Sequence, residues 1–220
     1  MKRALVVRGG WEGHFPVEAT ELFLPFLRDE GYDVRVADTP EVYASLDPAE
    51  TDLVVQCVTM GQASDAAVAG LRAAVAAGTG LAGWHGGIVD SFRASSDYVQ
   101  LVGGQFAAHP TGADGAHPTH TIEPLPAAAE HPITAGIGPF ELTTEQYWVL
   151  TDELCDVLAV TTHAAPEGQP WHRPVTCPAV WTRQWGAGRI AVVTPGHDPA
   201  TLSVPEVRTL VERSLLWASR

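Results

Sequence analysis

The sequence has few cysteines and no motif that pairs them. Its 220 residues include three, Cys57, Cys155 and Cys177, and none belongs to a CxxC pair. The first ten residues, MKRALVVRGG, contain no apolar region of the kind that a signal peptide has. Together these features predict a cytoplasmic protein whose thiols are reduced.

Long apolar runs and basic charge are scarce as well. No run approaches the roughly 20 apolar residues that a membrane-spanning helix needs. There are 13 basic against 26 acidic side chains, a net charge of −13, without a basic block or an acidic tail. Because a strongly acidic surface repels phosphate backbones and anionic lipid, we expect neither nucleic acid nor membrane as a partner.

Strand and helix patterns alternate in the first half of the chain. Short apolar runs predict strands at 3–9, 32–38, 51–60 and 79–87, and apolar residues at helical spacing predict helices at 16–31 and 64–78. Pro25 should kink the first helix. This order favours an α/β fold with a mainly parallel sheet and helices on both faces. Ligands of such sheets bind at the carboxyl ends of the strands.

The second half is richer in strand patterns. Further strands are predicted at 118–125, 155–163, 177–186 and 188–198, followed by a closing helix at 204–218. Residues 103–118 are rich in Gly, Pro and His, which predicts a long irregular loop of the kind that often carries function. No internal repeat or linker interrupts the chain, so residues 1–220 are predicted to form a single domain.

Nine histidines are many for this length, and one of them occupies a conspicuous turn. The stretch GLAGWHGGIVDSFR (80–93) is typical of a strand, a tight glycine-rich turn and a helix, with His85 at the tip. Gly86 and Gly87 permit a close turn, and the backbone N–H groups there favour an anion. The alternative is that the turn requires only its glycines, and that His85 is a structural residue that packs against Trp84.

Other polar candidates follow predicted strands. His14 comes after the first strand, His197 with Asp198 comes after the strand at 188–194, and Glu145 and Tyr147 lie in FELTTEQYWV. A carboxylate beside histidines can act as a general base or complete a metal site. A helix cap at Asp198 and a solvated Glu145 are equally compatible with the pattern. No HExxH or CxxC motif marks a metal site, but dispersed ligands can converge in space.

Several segments, in this order, resemble the ThuA-like (trehalose utilisation) family. They are GWHGG at 83–87, LVGGQFAAHP at 101–110, EHPITAGIGPFEL at 130–142, TEQYWVLTDE at 144–153, PAVWTRQWGAGRIAVVTPGHD at 178–198 and LLWA at 215–218. The resemblance covers nearly the whole chain. It implies a flavodoxin-like fold similar to the class I glutamine amidotransferases, and a role in carbohydrate metabolism. The residues that it carries over are His14, His85, His109, Glu145 and His197.

The comparison with the amidotransferases gives His85 a precise place. Their nucleophilic cysteine lies in a Gly-x-Cys-x-Gly turn, and Gly83 to Gly87 keeps this glycine frame with His85 at the nucleophile position. His197 resembles the late histidine of those enzymes. Without a thiol at the turn no thioester can form, so we expect no glutaminase activity. The DSFR segment at 90–93 departs from shorter family members, so the resemblance does not establish trehalose itself as the substrate.

We consider three functions. The first is a hydrolase, lyase or isomerase that acts on a disaccharide or an oxidised (3-keto) sugar by His/Glu acid–base chemistry, with a divalent metal such as zinc as a possible cofactor. The second is a non-catalytic sugar-binding or regulatory protein, and the third is an enzyme of an unrelated small metabolite. Homo-oligomerisation is left open.

The predicted site residues fall into three groups. The predicted catalytic residues are His85, Glu145 and His197; the predicted substrate contacts are Trp11, His14, Trp84, Gly86, Gly87, His109, Tyr147 and Asp198; the predicted metal ligands are His14, His85 and His197.

Overall fold

The computed structural model describes residues 1–112, 115–165 and 167–220. Its strands are β1 (Lys2–Gly10), β2 (Tyr32–Ala37), β3 (Leu53–Thr59), β4 (Gly80–Trp84), β5 (Gly104–Ala108), β6 (Thr119–Pro124), β7 (Phe140–Thr143), β8 (Trp148–Thr151), β9 (Asp156–His163), β10 (Val175–Trp185) and β11 (Gly188–Val193). Its helices are α1 (Pro16–Glu21), α2 (Leu24–Asp29), α3 (Asp65–Ala76), α4 (Gly86–Val89), α5 (Ser96–Val102), α6 (Pro199–Leu202) and α7 (Pro205–Ala218).

Nine of the described strands form one mixed sheet in the order β2-β1-β3-β4-β11-β10-β9-β6-β7. The first five of these are parallel to one another. From β10 onward each strand runs antiparallel to its neighbour. The predicted α/β fold, with a parallel first half and extra strands in the second, is confirmed. The parallel arrangement brings the carboxyl ends of β1, β3, β4 and β11 to one edge.

Burial explains why the central strands read as continuous apolar runs. Every residue of β3 and β4 is buried, as expected for parallel strands covered on both faces. One core layer contains Leu27 of α2 and Leu210 of α7, and the other contains Leu71 of α3 and Leu101 of α5. Since helices cover both faces, the strand ends are where functional side chains can gather.

Two of the predicted elements are corrected. The helix predicted at 16–31 is divided into α1 and α2, and Pro25 lies in the first turn of the second helix. Proline lacks the N–H that a continuing helix would need and clashes with the preceding turn, so it starts a new helix instead of kinking one. The irregular loop predicted at 103–118 is wrong for its first part, because Gly104–Ala108 is strand β5 and pairs with β8.

The connection between β2 and β3 also differs from a regular β–α–β unit. It contains a 3-10 turn at Pro40–Ser45 in place of an α-helix. Within the part of the chain that the structure describes, no helix is long and apolar enough to cross a membrane.

Candidate functional site

A strained turn joins β4 to α4. His85 has φ 49° and ψ −144°, a region that residues with a Cβ rarely occupy. Among the described residues the other non-glycine positions with positive φ are Phe15 and Met60. Phe15 follows His14 and Met60 follows Thr59, so all three strained positions surround one point at the sheet edge. Such strain persists only where the surrounding structure holds it, and functional sites are where it usually occurs.

Three imidazoles and one carboxylate meet at this point. His14 lies in the 3-10 turn after β1, His85 follows β4, His197 follows β11, and Glu145 lies between β7 and β8. One ligand atom from each residue lies within 4.8 Å of all the others. The structure therefore brings together the three histidines that the sequence placed at separate strand ends, and it adds the predicted carboxylate. We call these four residues the His–Glu cluster.

The carboxylate oxygen Oε2 of Glu145 is the centre of the His–Glu cluster. It lies 3.1 Å from Nε2 of His85, 3.4 Å from Nδ1 of His197 and 3.8 Å from Nε2 of His14. The other oxygen, Oε1, lies 3.7 Å from Nε2 of His109. The two oxygens thus face different partners, with Oε2 turned toward the three histidines of the cluster and Oε1 toward the half-exposed His109.

Hydrogen bonds determine which atoms of the histidines face the centre. Nδ1 of His85 donates to the carbonyl oxygen of Thr194 at 2.8 Å, and Nδ1 of His14 is 3.0 Å from Oγ1 of Thr59. Because a carbonyl only accepts, a neutral His85 presents the lone pair of Nε2 to Glu145. Nδ1 of His197 is buried and has no hydrogen-bond partner among the described residues.

The electrostatics of the cluster follow from burial and from these close contacts. Burial lowers the pKa of His85 to about 4, although Glu145 acts in the opposite direction. For Glu145, burial alone would raise the pKa, but the three histidines outweigh it and hold the pKa well below its usual range. The same carboxylate raises the pKa of His197. Near neutral pH the centre therefore combines an ionised carboxylate with a neutral His85.

This donor set fits a divalent metal ion. Imidazole nitrogens and a carboxylate oxygen are the usual ligands of zinc and similar ions. Ligands bound at roughly 2.1 Å lie roughly 3 to 4.2 Å apart, and the separations of Glu145 Oε2 from the three nitrogens fall within this range. A cation at the centre would also relieve the electrostatic repulsion between the Nε2 lone pair of His85 and the negatively charged carboxylate of Glu145. His14, His85, Glu145 and His197 are therefore the residues that would hold a metal.

Two aromatic residues predicted to contact substrate are enclosed by the protein. Trp84 is 2% exposed and packs against Phe23, with ring centroids 4.9 Å apart, so the prediction for Trp84 is wrong. It precedes His85 on the chain and points into the helical layer. Tyr147 is equally buried and stacks on His85 at 3.9 Å between centroids. Its hydroxyl interacts with the backbone N–H of Gly86. Tyr147 positions His85 and is not available to a ligand.

Packing gives structural roles to three further residues that the sequence predicts as substrate contacts. Asp198 caps α6, because its carboxylate accepts the N–H of Thr201 at 2.7 Å. Gly86 and Gly87 are buried, and a Cβ on Gly86 would lie 2.8 Å from the His14 ring. On Gly87 a Cβ would lie 2.9 Å from Cα of Cys57. These positions need glycine for close packing around the cluster.

The accessible residues beside the cluster are Trp11 and His109. Trp11 is 47% exposed and meets His14 edge to face, with ring centroids 4.8 Å apart. The side chain of His109 is 40% exposed. The ring of the exposed His117 lies 5.4 Å from that of His197. Sequence reasoning missed the two threonines that orient His14 and His85. Thr59 ends β3 and Thr194 directly follows β11. A polar residue at the carboxyl end of a predicted parallel strand is the sequence signal that could have identified them.

The fold and the cluster define a flavodoxin-like α/β protein with a histidine-lined site at the carboxyl edge of its sheet. The model of the ThuA family, described as trehalose utilisation, matches residues 3–218, and the chain belongs to this family. This places it with proteins of carbohydrate metabolism. No curated protein matches the sequence.

Solved structures share the fold at low sequence identity. A ThuA-like protein from Bacteroides uniformis ATCC 8492 is 17% identical with a TM-score of 0.74, over 99% of this chain and 91% of the other. One from Parabacteroides merdae ATCC 43184 is 15% identical with a TM-score of 0.74, over 99% and 89%. A cytoplasmic protein from Salmonella typhimurium LT2 is 15% identical with a TM-score of 0.65, over the full length of both chains.

Proposed function

We propose that this protein is an enzyme of carbohydrate metabolism that acts on a disaccharide or an oxidised (3-keto) sugar. The observation that carries the proposal is the His–Glu cluster, in which three imidazoles, two of them buried, and one ionised carboxylate converge beside an exposed tryptophan. Membership of the trehalose utilisation family supports a sugar as the substrate class. The absence of a thiol at the turn argues against glutaminase chemistry.

In this proposal the three histidines and Oε2 of Glu145 bind a divalent metal such as zinc, and the other oxygen of Glu145, Oε1, moves protons. A bound metal supplies Lewis acidity, which polarises a carbonyl oxygen and stabilises the negative charge that develops on it. His85 is a ligand and not a free base, since its Nδ1 is held by Thr194 and its Nε2 faces the centre. Oε1 of Glu145 points away from the other histidines, so it is the oxygen that accepts a proton.

A 3-keto glycoside suits these groups because the C–H at C2 is acidified by the neighbouring carbonyl. Glu145 accepts the C2 proton, the electron pair moves into a C1–C2 double bond, and the glycosidic C1–O bond breaks. His109, which lies 3.7 Å from Oε1 and reaches solvent, donates a proton to the departing oxygen. The products are an enone and an alcohol. Addition of water to the enone then completes the hydrolysis.

The proposal is tested with the variant His85→Ala. We expect loss of turnover of a 3-keto disaccharide and loss of bound metal, with circular dichroism and urea unfolding showing an intact fold. His172 is exposed, so His172→Ala is the matched control and should keep both metal and activity. Full activity of His85→Ala would refute the proposed mechanism.

A second candidate is a non-catalytic sugar-binding protein, favoured by one observation. Trp11 presents an exposed ring beside the cluster, and such a ring can stack on the apolar face of a sugar. This function predicts sugar binding without product under every metal condition. Turnover of any 3-keto disaccharide by the metal-loaded protein excludes it.

We also propose the cytoplasm as the compartment. The supporting observations are the three free cysteines and the likeness to a Salmonella protein named as cytoplasmic.

A further inference from the structure

A cavity of about 520 Å³ lies at the sheet edge that carries the His–Glu cluster and is not used by the chemistry described above. Its walls come from two segments at the carboxyl edge of the sheet. One begins at Met60, directly after β3, and the other runs from Ser91 to Ser95, after α4. The backbone N–H of Met60 donates to the carbonyl oxygen of Asp90 at 2.7 Å and joins the two segments. The volume is in the range of small-molecule sites.

The cavity and the cluster share structural neighbours on two sides. On one side, Met60 follows Thr59, which contacts Nδ1 of His14. On the other, the guanidinium of Arg93 lies over the ring of Phe106, 5.6 Å from its centroid. Phe106 in turn contacts His109, with ring centroids 5.6 Å apart, and Tyr147 at 4.6 Å. Thr59 and Phe106 therefore lie between the lining of the cavity and the residues around the cluster.

The charges in the cavity select against an anionic ligand. Arg93 forms a two-pronged pair with the buried carboxylate of Asp90, through Nε to Oδ1 and through Nη2 to Oδ2, the latter at 2.7 Å. This pair neutralises the one cation in the described lining, and Asp65 adds a negative charge to the wall. A phosphate or carboxylate would meet no net positive charge. The other polar lining groups are hydroxyls and an amide, which exchange hydrogen bonds with a neutral polyol.

We propose that this cavity binds the second, non-reacting unit of an uncharged disaccharide whose reacting unit lies at the His–Glu cluster. The inference rests on the proposed function for the position of the reacting unit. It adds that the substrate has at least two sugar units and carries no phosphate. The pair with Asp90 fixes the guanidinium of Arg93, whose N–H groups can donate to a ligand, and the ring of Phe106 packs against it.

The test measures equilibrium binding to the metal-loaded protein by calorimetry. The probes are glucose, trehalose 6-phosphate and four neutral disaccharides (trehalose, maltose, cellobiose and sucrose). We expect at least one neutral disaccharide to bind about tenfold or more tightly than glucose, and trehalose 6-phosphate to bind more weakly than trehalose. Equal binding of glucose and all four disaccharides, or tighter binding of the phosphate, would overturn the inference.

Two variants fill the cavity, one from each lining segment, and leave Arg93 and Asp90 unsubstituted. Ala94 and Gln62 are exposed lining residues, and Ala94→Trp or Gln62→Trp should lower the affinity for the disaccharide about tenfold and change that for glucose less than about twofold. Ala129 is exposed and belongs to neither site, so Ala129→Trp is the control. If both filled variants bind the disaccharide as tightly as the wild type does, the inference is refuted.

The result of this binding test can be distinguished from the result of the turnover test of the proposed function. Turnover and its loss in His85→Ala test the chemistry, whereas the filled variants test only where the second sugar binds. If the protein binds disaccharides through the cavity but never turns them over, this inference holds and the proposed enzymatic activity is refuted.

Discussion

Substitution of Gly86 by alanine should weaken metal binding without removing any ligand. The added Cβ would lie 2.8 Å from Nδ1 and Cε1 of His14 and 2.9 Å from Cγ2 of Thr59. Ordinary carbon contacts are about 3.5 Å, so the imidazole has to move by about 0.7 Å. Metal–ligand distances tolerate shifts of only about 0.2 Å. His14 should therefore no longer reach the position that it shares with the other three ligands.

The expected loss is about 10- to 100-fold in zinc affinity, the size that is typical when the groups supporting a ligand are disturbed. This corresponds to about 1.4 to 2.7 kcal/mol. Competition with a fluorescent chelator at constant pH measures the affinity. Urea unfolding of the metal-free protein measures the separate cost of overpacking, about 1 to 3 kcal/mol.

Two controls assign the effect to His14. A Cβ on Gly138 would meet nothing within 4 Å, so Gly138→Ala should bind zinc as the wild type does. In a His14→Ala background the ring is absent, and Gly86→Ala should cause no further loss of affinity. Zinc affinity of Gly86→Ala equal to that of the wild type would refute the arrangement. The same loss in both backgrounds would show that the cause is general destabilisation.

The other predictions concern stability and its pH dependence. Trp84→Ala should cost about 3 to 5 kcal/mol of unfolding free energy, because it empties a core position, whereas Trp11→Ala should change stability by less than about 0.5 kcal/mol and weaken sugar binding. In the metal-free protein the pKa of His85 is about 4, below the 6.5 of an unfolded histidine. The unfolded chain thus takes up more protons, so stability due to this group is present above pH 6.5 and is lost as the pH falls toward 4, by about 3 kcal/mol in total. Urea unfolding across this range should show a flatter pH dependence in His85→Ala.

The identities of the site residues were more predictable than their roles. His85 was recognisable because a bulky polar residue stands at the tip of a glycine-rich turn, and the positive φ of this residue confirms the tight turn. Trp84 and Tyr147 were predicted to touch substrate and are buried. The sequence contains the aromatic residues, but which side of the turn each one faces depends on the layers that pack against it.

The incorrect prediction of an irregular loop over the whole of 103–118 has a related cause. Gly, Pro and His are typical of loops, yet Phe106 lies in β5 and packs against Tyr147. Pairing between β5 and β8 joins residues that are 40 to 47 positions apart in the sequence, and no local pattern carries that information. Asp198 illustrates the opposite case, because a local rule, the helix cap, correctly predicts the hydrogen bond that its carboxylate accepts from Thr201.

By itself the sequence determined the alternation of strands and helices, the parallel first half of the sheet and the strand ends where His14, His85 and His197 stand. Those features follow from periodicity and from glycine and proline positions, which act over a few residues. Only the tertiary structure decided that the three histidines share one carboxylate oxygen of Glu145. The reason is physical: the ends of β1, β4 and β11 become neighbours only when the sheet has formed. Convergence within 4.8 Å is therefore a property of strand order and not of sequence spacing.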